Sequence, residues 1–557
     1  MIRKTFLNPQ LMAVALIASL MLPVVILTYT EHNPFWVALS ALLLPLGFYT
    51  VLAALLRRSG AMTWWAFPFI FFSAFQVVLS YLFGNSVVAA DMFLNLTTTN
   101  TGEAGELLAN IYPSVIAVFV IYLPLLYLAT QHIISKVQLK ERMRRRMLIG
   151  GAATMLAGCI TLFAGCRGEV RKTLRDEVFP INVAYNMGLA ISEANKIANF
   201  HSTSQGFTFE AERKAEPEER EIYVMVIGEA ARAASWQMYG YERETNPLLS
   251  QREDIVLFRQ ITTQSNTTHK SVPLMLSSVH TSEHEELFRR KGMPALFKEA
   301  GFKTYFISNQ VPQGAMIDHL AGDSDVVEYL PALQHDYSTV EALKRIIRED
   351  QSQRLLIILH TYGSHFSYHQ RYPREWARFT PEDDVAILRK NATLIRNAYD
   401  NSTLYTDYVL NSVIETLATE NACTAMLYCA DHGEDLFDDV HGRFLHASPT
   451  TTYYQLHVAS LAWFSPRYRE LFPVKAAAAK ANAAAVATTH SVFHTMADVA
   501  SIGSPYVLQG ASLVSPHFDN EAKRYYLSDH NEAVELNKEI GIDAYQLSLL
   551  ERAGVEL

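Results

Sequence analysis

The chain has 557 residues, half of them hydrophobic, with a formal charge of −9 at pH 7. Its one dense basic run is juxtamembrane, so nothing marks a nucleic-acid footprint. Its four cysteines, Cys159, Cys166, Cys423 and Cys429, give no disulfide framework.

The apolar residues are concentrated near the start. Five runs, 11–29, 33–56, 64–87, 109–134 and 147–165, are each long enough to cross a hydrocarbon core of about 30 Å as helices. The first reads as a retained anchor and export signal. Arg3 and Lys4 precede it, Arg57 and Arg58 follow the second run, and Lys136, Lys140, Arg142, Arg144, Arg145 and Arg146 separate the fourth from the fifth. With five helices these clusters share one side. The loop 88–108 on the other side carries Asp91, Glu103 and Glu106 and no basic residue. The positive-inside rule therefore places the N-terminus in the cytoplasm and everything after 166 outside. The small residues of LAGC at 156–159 and FAGC at 163–166 read as a helix-packing surface rather than as lipoprotein cleavage boxes.

Within the loop 88–108, Asn95, Thr99 and Glu103 recur every four residues, so a helix would present them on one face. Such a polar stripe at the membrane border suits a lipid headgroup. Residues 181–199 have helical periodicity with an apolar face, and 201–220 are polar and charged. The expected organisation is a transmembrane domain over 1–166, a connector over 167–220 with an amphipathic helix, and an outer domain over 221–557.

In the outer domain, apolar runs at 221–227, 355–359 and 423–429 end in Gly228-Glu229, in His360 and in Ala430-Asp431-His432-Gly433-Glu434. Helical stretches lie between them, for example 291–300 and 340–350. This alternation predicts an α/β domain with a mainly parallel sheet. Ligands of such sheets gather outside the carboxyl ends of the strands, so the three polar clusters are expected in one crevice. Glu229, Asp431 and His432 together suit zinc, with manganese or magnesium as alternatives. The hydroxyl-rich segment 262–278 supplies a nucleophile candidate in Thr268 at a helix start, where free N–H groups attract a phosphate oxygen. Thr267 and Ser265 compete with it. His360, His365, His369, His441 and His446 lie close to the strand ends in sequence and have the chemistry to bind phosphate, protonate a leaving oxygen or hold a second metal.

The motifs NLTTTNTGEA (95–104), VIGEAARAASWQMYGYERETNP (226–247), NTTHKSVPLMLSS (266–278), LHTYGSHFSYHQRYPREWARFTP (359–381), YDNSTLYTDYVL (399–410), ADHGEDL (430–436), FLHASP (444–449) and HSVFHTMADVA (490–500) occur in order. In this the chain resembles the phosphoethanolamine transferases of Gram-negative envelopes, within the alkaline phosphatase and sulfatase superfamily. The resemblance implies five spans followed by an α/β/α sulfatase-like domain in the periplasm. It implies a catalytic zinc held by Glu229, Thr268, Asp431 and His432, with Thr268 also the nucleophile, because the family threonine stands four residues before the valine that is here Val272. His365 and His446 would contact the transferred phosphate or hold a second zinc, with His360 a further participant. Asn95, Thr99 and Glu103 would help to bind the donor headgroup. The implied donor is phosphatidylethanolamine, the implied acceptor a lipid A phosphate or another envelope glycan, and a monomer is expected. Rival readings are a glycerol-phosphate transferase of the lipoteichoic-acid-synthase kind and a membrane-anchored phosphatase or sulfatase.

Two departures accompany the resemblance. Many relatives flank the nucleophile with a disulfide, where this chain has Gln264 and Leu274, so packing and hydrogen bonds must hold the loop. The stretch from Asp431 to His446 is slightly longer than in the lipid A enzymes, which leaves His441 as a rival to His446.

Overall fold

The computed structural model describes residues 8–30, 33–83, 88–98, 101–312, 314–331, 334–383, 385, 387–438, 443–447 and 451–536. They form two compact units, one from residues up to 191 and the other from 192 onward, apart from the short excursions 97–100 and 440–443.

The first unit is helical: α1 Pro9–Thr30, α2 Phe35–Leu55, α3 Ser59–Trp65, α4 Phe67–Phe83, α5 Ala90–Thr98, α6 Thr101–Ile134, α7 Glu141–Gly165, α8 Val170–Glu177 and the start of α9 Ile181–Ala198. Among the described residues, α1, α2, the stretch Tyr112–Ile134 of α6 and α7 are long and apolar enough to cross a membrane. The pair α3 and α4 makes a fifth crossing if counted as one, bent by 59°. The described part of the third apolar run is thus a broken helix that begins earlier than its hydropathy suggests. Pro68 is the physical reason. Its ring has no N–H to continue the ladder and crowds the preceding turn, so α3 stops at Trp65 and a new helix starts at Phe67.

Glycine sets how α2 and α7 meet. Gly151, Gly158 and Gly165 recur every seven residues on one face of α7. A Cβ on Gly158 would stand 2.9 Å from Leu44, and one on Gly165 2.9 Å from Trp36 and Val37. The small residues that could pass for lipoprotein boxes therefore let two helix backbones touch.

The second unit is built on a seven-stranded sheet: β1 Glu221–Gly228, β2 Ile255–Leu257, β3 Lys303–Ser308, β4 Val326–Tyr329, β5 Arg354–His360, β6 Cys423–Ala430 and β7 Ser460–Phe464. The spatial order is β2-β7-β6-β1-β5-β3-β4. β7 alone runs opposite to the other six strands; β1 pairs in parallel with both β5 and β6. Every residue of β1 and β6 is buried. Successive strand residues point to opposite faces, so both faces of the sheet centre are covered, which is why these strands read as unbroken apolar runs. Part of the polar stretch 201–220 joins this unit. Glu212–Arg213 pairs with Ile502–Gly503, and Arg213 donates to Glu221 at 2.8 Å. All four cysteines are free thiols.

Three helices matter for the site: α10 Thr268–Met275, α11 Tyr337–Glu349 and α12 Ala392–Ala418. On α12, Asp407 accepts the backbone N–H groups of Leu248 and Leu249, each at 2.9 Å. Burial pushes its carboxyl up to about 7. The unfolded carboxyl has an ordinary pKa near 4, so between these values the folded chain binds a proton that the unfolded chain has lost. This contribution to stability is complete below about pH 4 and is lost as pH rises through about 7. Asp407→Asn should therefore flatten the fall of the thermal midpoint between about pH 5 and pH 7; differential scanning fluorimetry of both chains across that window checks it.

Candidate active site

β1 and β6 lie side by side and end level, with Gly228 opposite Ala430. The next residue on one is Glu229 and on the other Asp431-His432. Their backbones are stitched together: Asp431 N–H donates to Gly228 O at 2.9 Å, and Ala230 N–H to Asp431 Oδ1 at 3.1 Å. Glu229, Asp431 and His432 are fully buried, and each offers one ligand atom within 4.8 Å of the others.

Thr268 is the first residue of α10, and its hydroxyl completes this cluster. Oγ1 stands 3.0 Å from His432 Nε2 and 3.3 and 3.4 Å from the two Glu229 oxygens. Its two competitors, Ser265 and Thr267, have their hydroxyls 3.3 Å from each other. No disulfide is needed to hold the loop. Leu274 is buried in the core, and Gln264 pairs through its backbone with Thr489 Oγ1 at 3.1 Å and Leu527 N at 2.8 Å. Asn266 donates to Gln455 Oε1 at 2.7 Å and accepts from Tyr526 OH at 3.1 Å.

These residues fit a divalent cation. His432 Nδ1 lies 2.9 Å from Gly433 O, an acceptor only, so Nδ1 carries the proton and Nε2 turns its lone pair to the cluster. Two carboxylates, one imidazole and one hydroxyl converge where solvent cannot screen them. Burial, and then the neighbouring Asp431, hold Glu229 well above the usual carboxylate range. A cation supplies the charge that this arrangement lacks.

A second ring of groups adjoins the first. His446 Nδ1 lies 2.7 Å from Glu434 Oε2, whose other oxygen accepts from Tyr368 OH at 2.6 Å. The rings of His446 and His432 are 4.0 Å apart. His432, Glu434 and His446 also have metal-ligand spacing. Burial pushes the Glu434 carboxyl up and the His446 imidazole down, and the pair shares one proton across their 2.7 Å contact. His365, in the loop after β5, packs on Tyr362 with ring centres 5.0 Å apart. Burial, followed by the Arg371 guanidinium and His446, holds its imidazole well below the usual range.

The remaining candidates fall differently. His360 ends β5, but its Nδ1 meets Ser308 Oγ at 3.1 Å and its ring lies over Phe306. Its side-chain hydrogen bond thus goes to Ser308 and not to Glu229, Thr268, Asp431 or His432. Asn95 falls in α5 and Glu103 in α6, while Thr99 and His441 lie outside the described residues, as do the side chains of Asn95 and Glu103. Four site residues carry no role in the sequence reading. Gln310 donates to Glu229 Oε2 at 3.2 Å, Ser271 to Asp431 Oδ2 at 3.3 Å, and Glu434 holds His446 while Tyr368 OH donates to Glu434. Gln310 had a legible signal, since it stands two residues past β3, at the same sheet edge as Glu229.

A model of the sulfatase family matches residues 221–502, half of the chain. The chain belongs to the sulfatase family. It is 26% identical to the phosphoethanolamine transferase EptA of Salmonella typhimurium over 311 residues, which cover 53% of this chain and 56% of that one. It is 29% identical to the phosphatidylethanolamine transferase Mcr-2 of Escherichia coli, over 56% of this chain and 61% of that one. The chain spans about half the length of the curated relatives it matches. Among solved structures, the integral membrane lipooligosaccharide phosphoethanolamine transferase A of Neisseria meningitidis superposes with a TM-score of 0.73 at 20% identity. That match covers 90% of this chain and 98% of the other, so the likeness of fold takes in the helical unit as well as the sulfatase unit.

Proposed function

We propose that this sulfatase-family chain transfers phosphoethanolamine from phosphatidylethanolamine to an envelope glycolipid, with a lipid A phosphate as the first choice of acceptor. The helical unit anchors it in the bacterial inner membrane, and the catalytic unit works on the periplasmic side as a monomer. The names of the relatives support this reading. The observation that carries it is the Thr268 hydroxyl, 3.0 Å from His432 Nε2 and within 3.4 Å of Glu229.

Thr268 Oγ1 attacks the donor phosphorus in line. The bond from phosphorus to the glycerol oxygen breaks, diacylglycerol leaves, and phosphoethanolamine remains as an ester on Thr268. The acceptor phosphate oxygen then attacks the same phosphorus and frees the threonine. Glu229, with oxygens 3.3 and 3.4 Å away, is the acceptor facing the Thr268 hydroxyl proton, while the lone pair of His432 Nε2 is kept for the metal. Zinc held by Glu229, Asp431, His432 and Thr268 would lower the hydroxyl pKa and offset charge on the phosphoryl oxygens. The Glu434–His446 pair holds one proton beside the site and supplies it to the leaving glycerol oxygen, while His365 and His446 contact the transferred phosphate. Asn95, Thr99 and Glu103 serve the donor headgroup, and His360 stays in the shell behind the site.

The test is a transfer assay with the full chain in vesicles and lipid A as acceptor. Phosphatidylethanolamine should yield lipid A heavier by one phosphoethanolamine unit, and phosphatidylglycerol should yield none. Transfer of glycerol phosphate, or release of free headgroup phosphate without transfer, would contradict the proposal.

A further inference from the structure

Asp336 occupies the N-cap of α11, where an aspartate ordinarily accepts an N–H from the first turn of its helix. Here its side chain makes no capping bond. Both oxygens turn instead to the loop after β5: Oδ1 accepts from Tyr362 N and Oδ2 from Gly363 N, each at 2.7 Å. Asn309 Nδ2 fixes the carboxylate by donating to Oδ1 at 2.8 Å. Asp336 is 4% exposed, so these bonds replace its hydration.

The loop it grips is pressed against a residue of the metal cluster. Ser364 N–H donates to Glu229 O at 3.0 Å, and Thr361 N–H to Ile227 O at 3.1 Å. Gly363 has φ +50°, and a Cβ there would fall 2.6 Å from Glu229 O. The next residues, Ser364 and His365, complete the loop. Two peptide N–H groups clamped on one side and the Glu229 backbone on the other leave this loop one seating.

We propose that Asp336 is a positioning residue. It forgoes capping its own helix to set the 361–365 loop, and through it the placement of Glu229 and His365. The inference rests on the transferase reading above. The test uses the full chain in vesicles, comparing Asp336→Asn, Asn309→Ala and wild type for kcat and donor KM, with hydrogen exchange of the amides of 361–365. In Asp336→Asn, an amide NH2 faces a peptide N–H and one clamp bond is lost. The kcat of this variant should fall roughly 10- to 100-fold with donor KM nearly unchanged, the scale seen when residues that orient metal ligands are replaced. The loop amides should exchange faster while β1 and β6 keep their protection. Asn309→Ala should shift both readouts the same way by less. Unchanged kcat in Asp336→Asn, or a loss matched by faster exchange throughout the sheet, would overturn the inference. Thr268→Ala is run alongside: turnover by that variant would sink the transferase reading itself, whatever Asp336 does.

Discussion

Thr268→Ala should leave a folded chain whose transfer rate is lower by roughly 10³-fold or more, the scale on which loss of a covalent nucleophile is felt. The hydroxyl stands at the head of α10 and faces Glu229 and His432 together. The fold loses little, because Thr268 is only part-buried and the helix it begins is held by the buried side chains Val272, Leu274 and Met275. Removing one such hydrogen bond costs about 1 kcal/mol. Thr268→Ser keeps the oxygen and should retain a measurable rate. Steady-state transfer measured with the thermal midpoint of each variant separates chemistry from folding.

Asp431→Asn should abolish tight metal binding with a comparable loss of rate. Asp431 Oδ1 accepts from Ala230 N and from its own neighbour His432 N at 2.7 Å, and an asparagine oxygen can keep these bonds. The other oxygen lies 3.4 Å from His432 Nε2, and there the substitution replaces a negative ligand with a neutral donor. Metal content by mass spectrometry should fall from about one ion per chain to a small fraction. A ligand present at a thousand times its Kd stabilises by about 4 kcal/mol. Chelation should accordingly lower the wild-type midpoint by about 5 °C or more and leave that of Asp431→Asn unmoved. Equal responses to the chelator would show that the ion is bound elsewhere.

The sequence discloses the parts of this site that obey one-dimensional rules. Glu229 and Asp431-His432 are legible because unbroken apolar strands end just before them, and the carboxyl ends of parallel strands share one edge. The choice between Thr267 and Thr268 is not legible from spacing. It depends on which residue begins α10, and adjacent residues on a helix face directions about 100° apart. Gln310, Tyr368 and Asp336 reach the site from separate segments through a few hydrogen bonds, which leave no period to read. The same holds in the helical unit. Hydropathy marks 64–87 as apolar but carries no direction, so the 59° bend at Ala66 is visible only through Pro68. The packing of α2 on α7 is nearer the surface of the sequence, since its glycines recur every seven residues.

The most direct test is peptide mass spectrometry of the full chain, quenched during turnover with phosphatidylethanolamine in the absence of acceptor. The account predicts one added phosphoethanolamine on the peptide that contains Thr268, discharged when lipid A is supplied. An adduct on another residue, or steady transfer with Thr268 never modified, would contradict it.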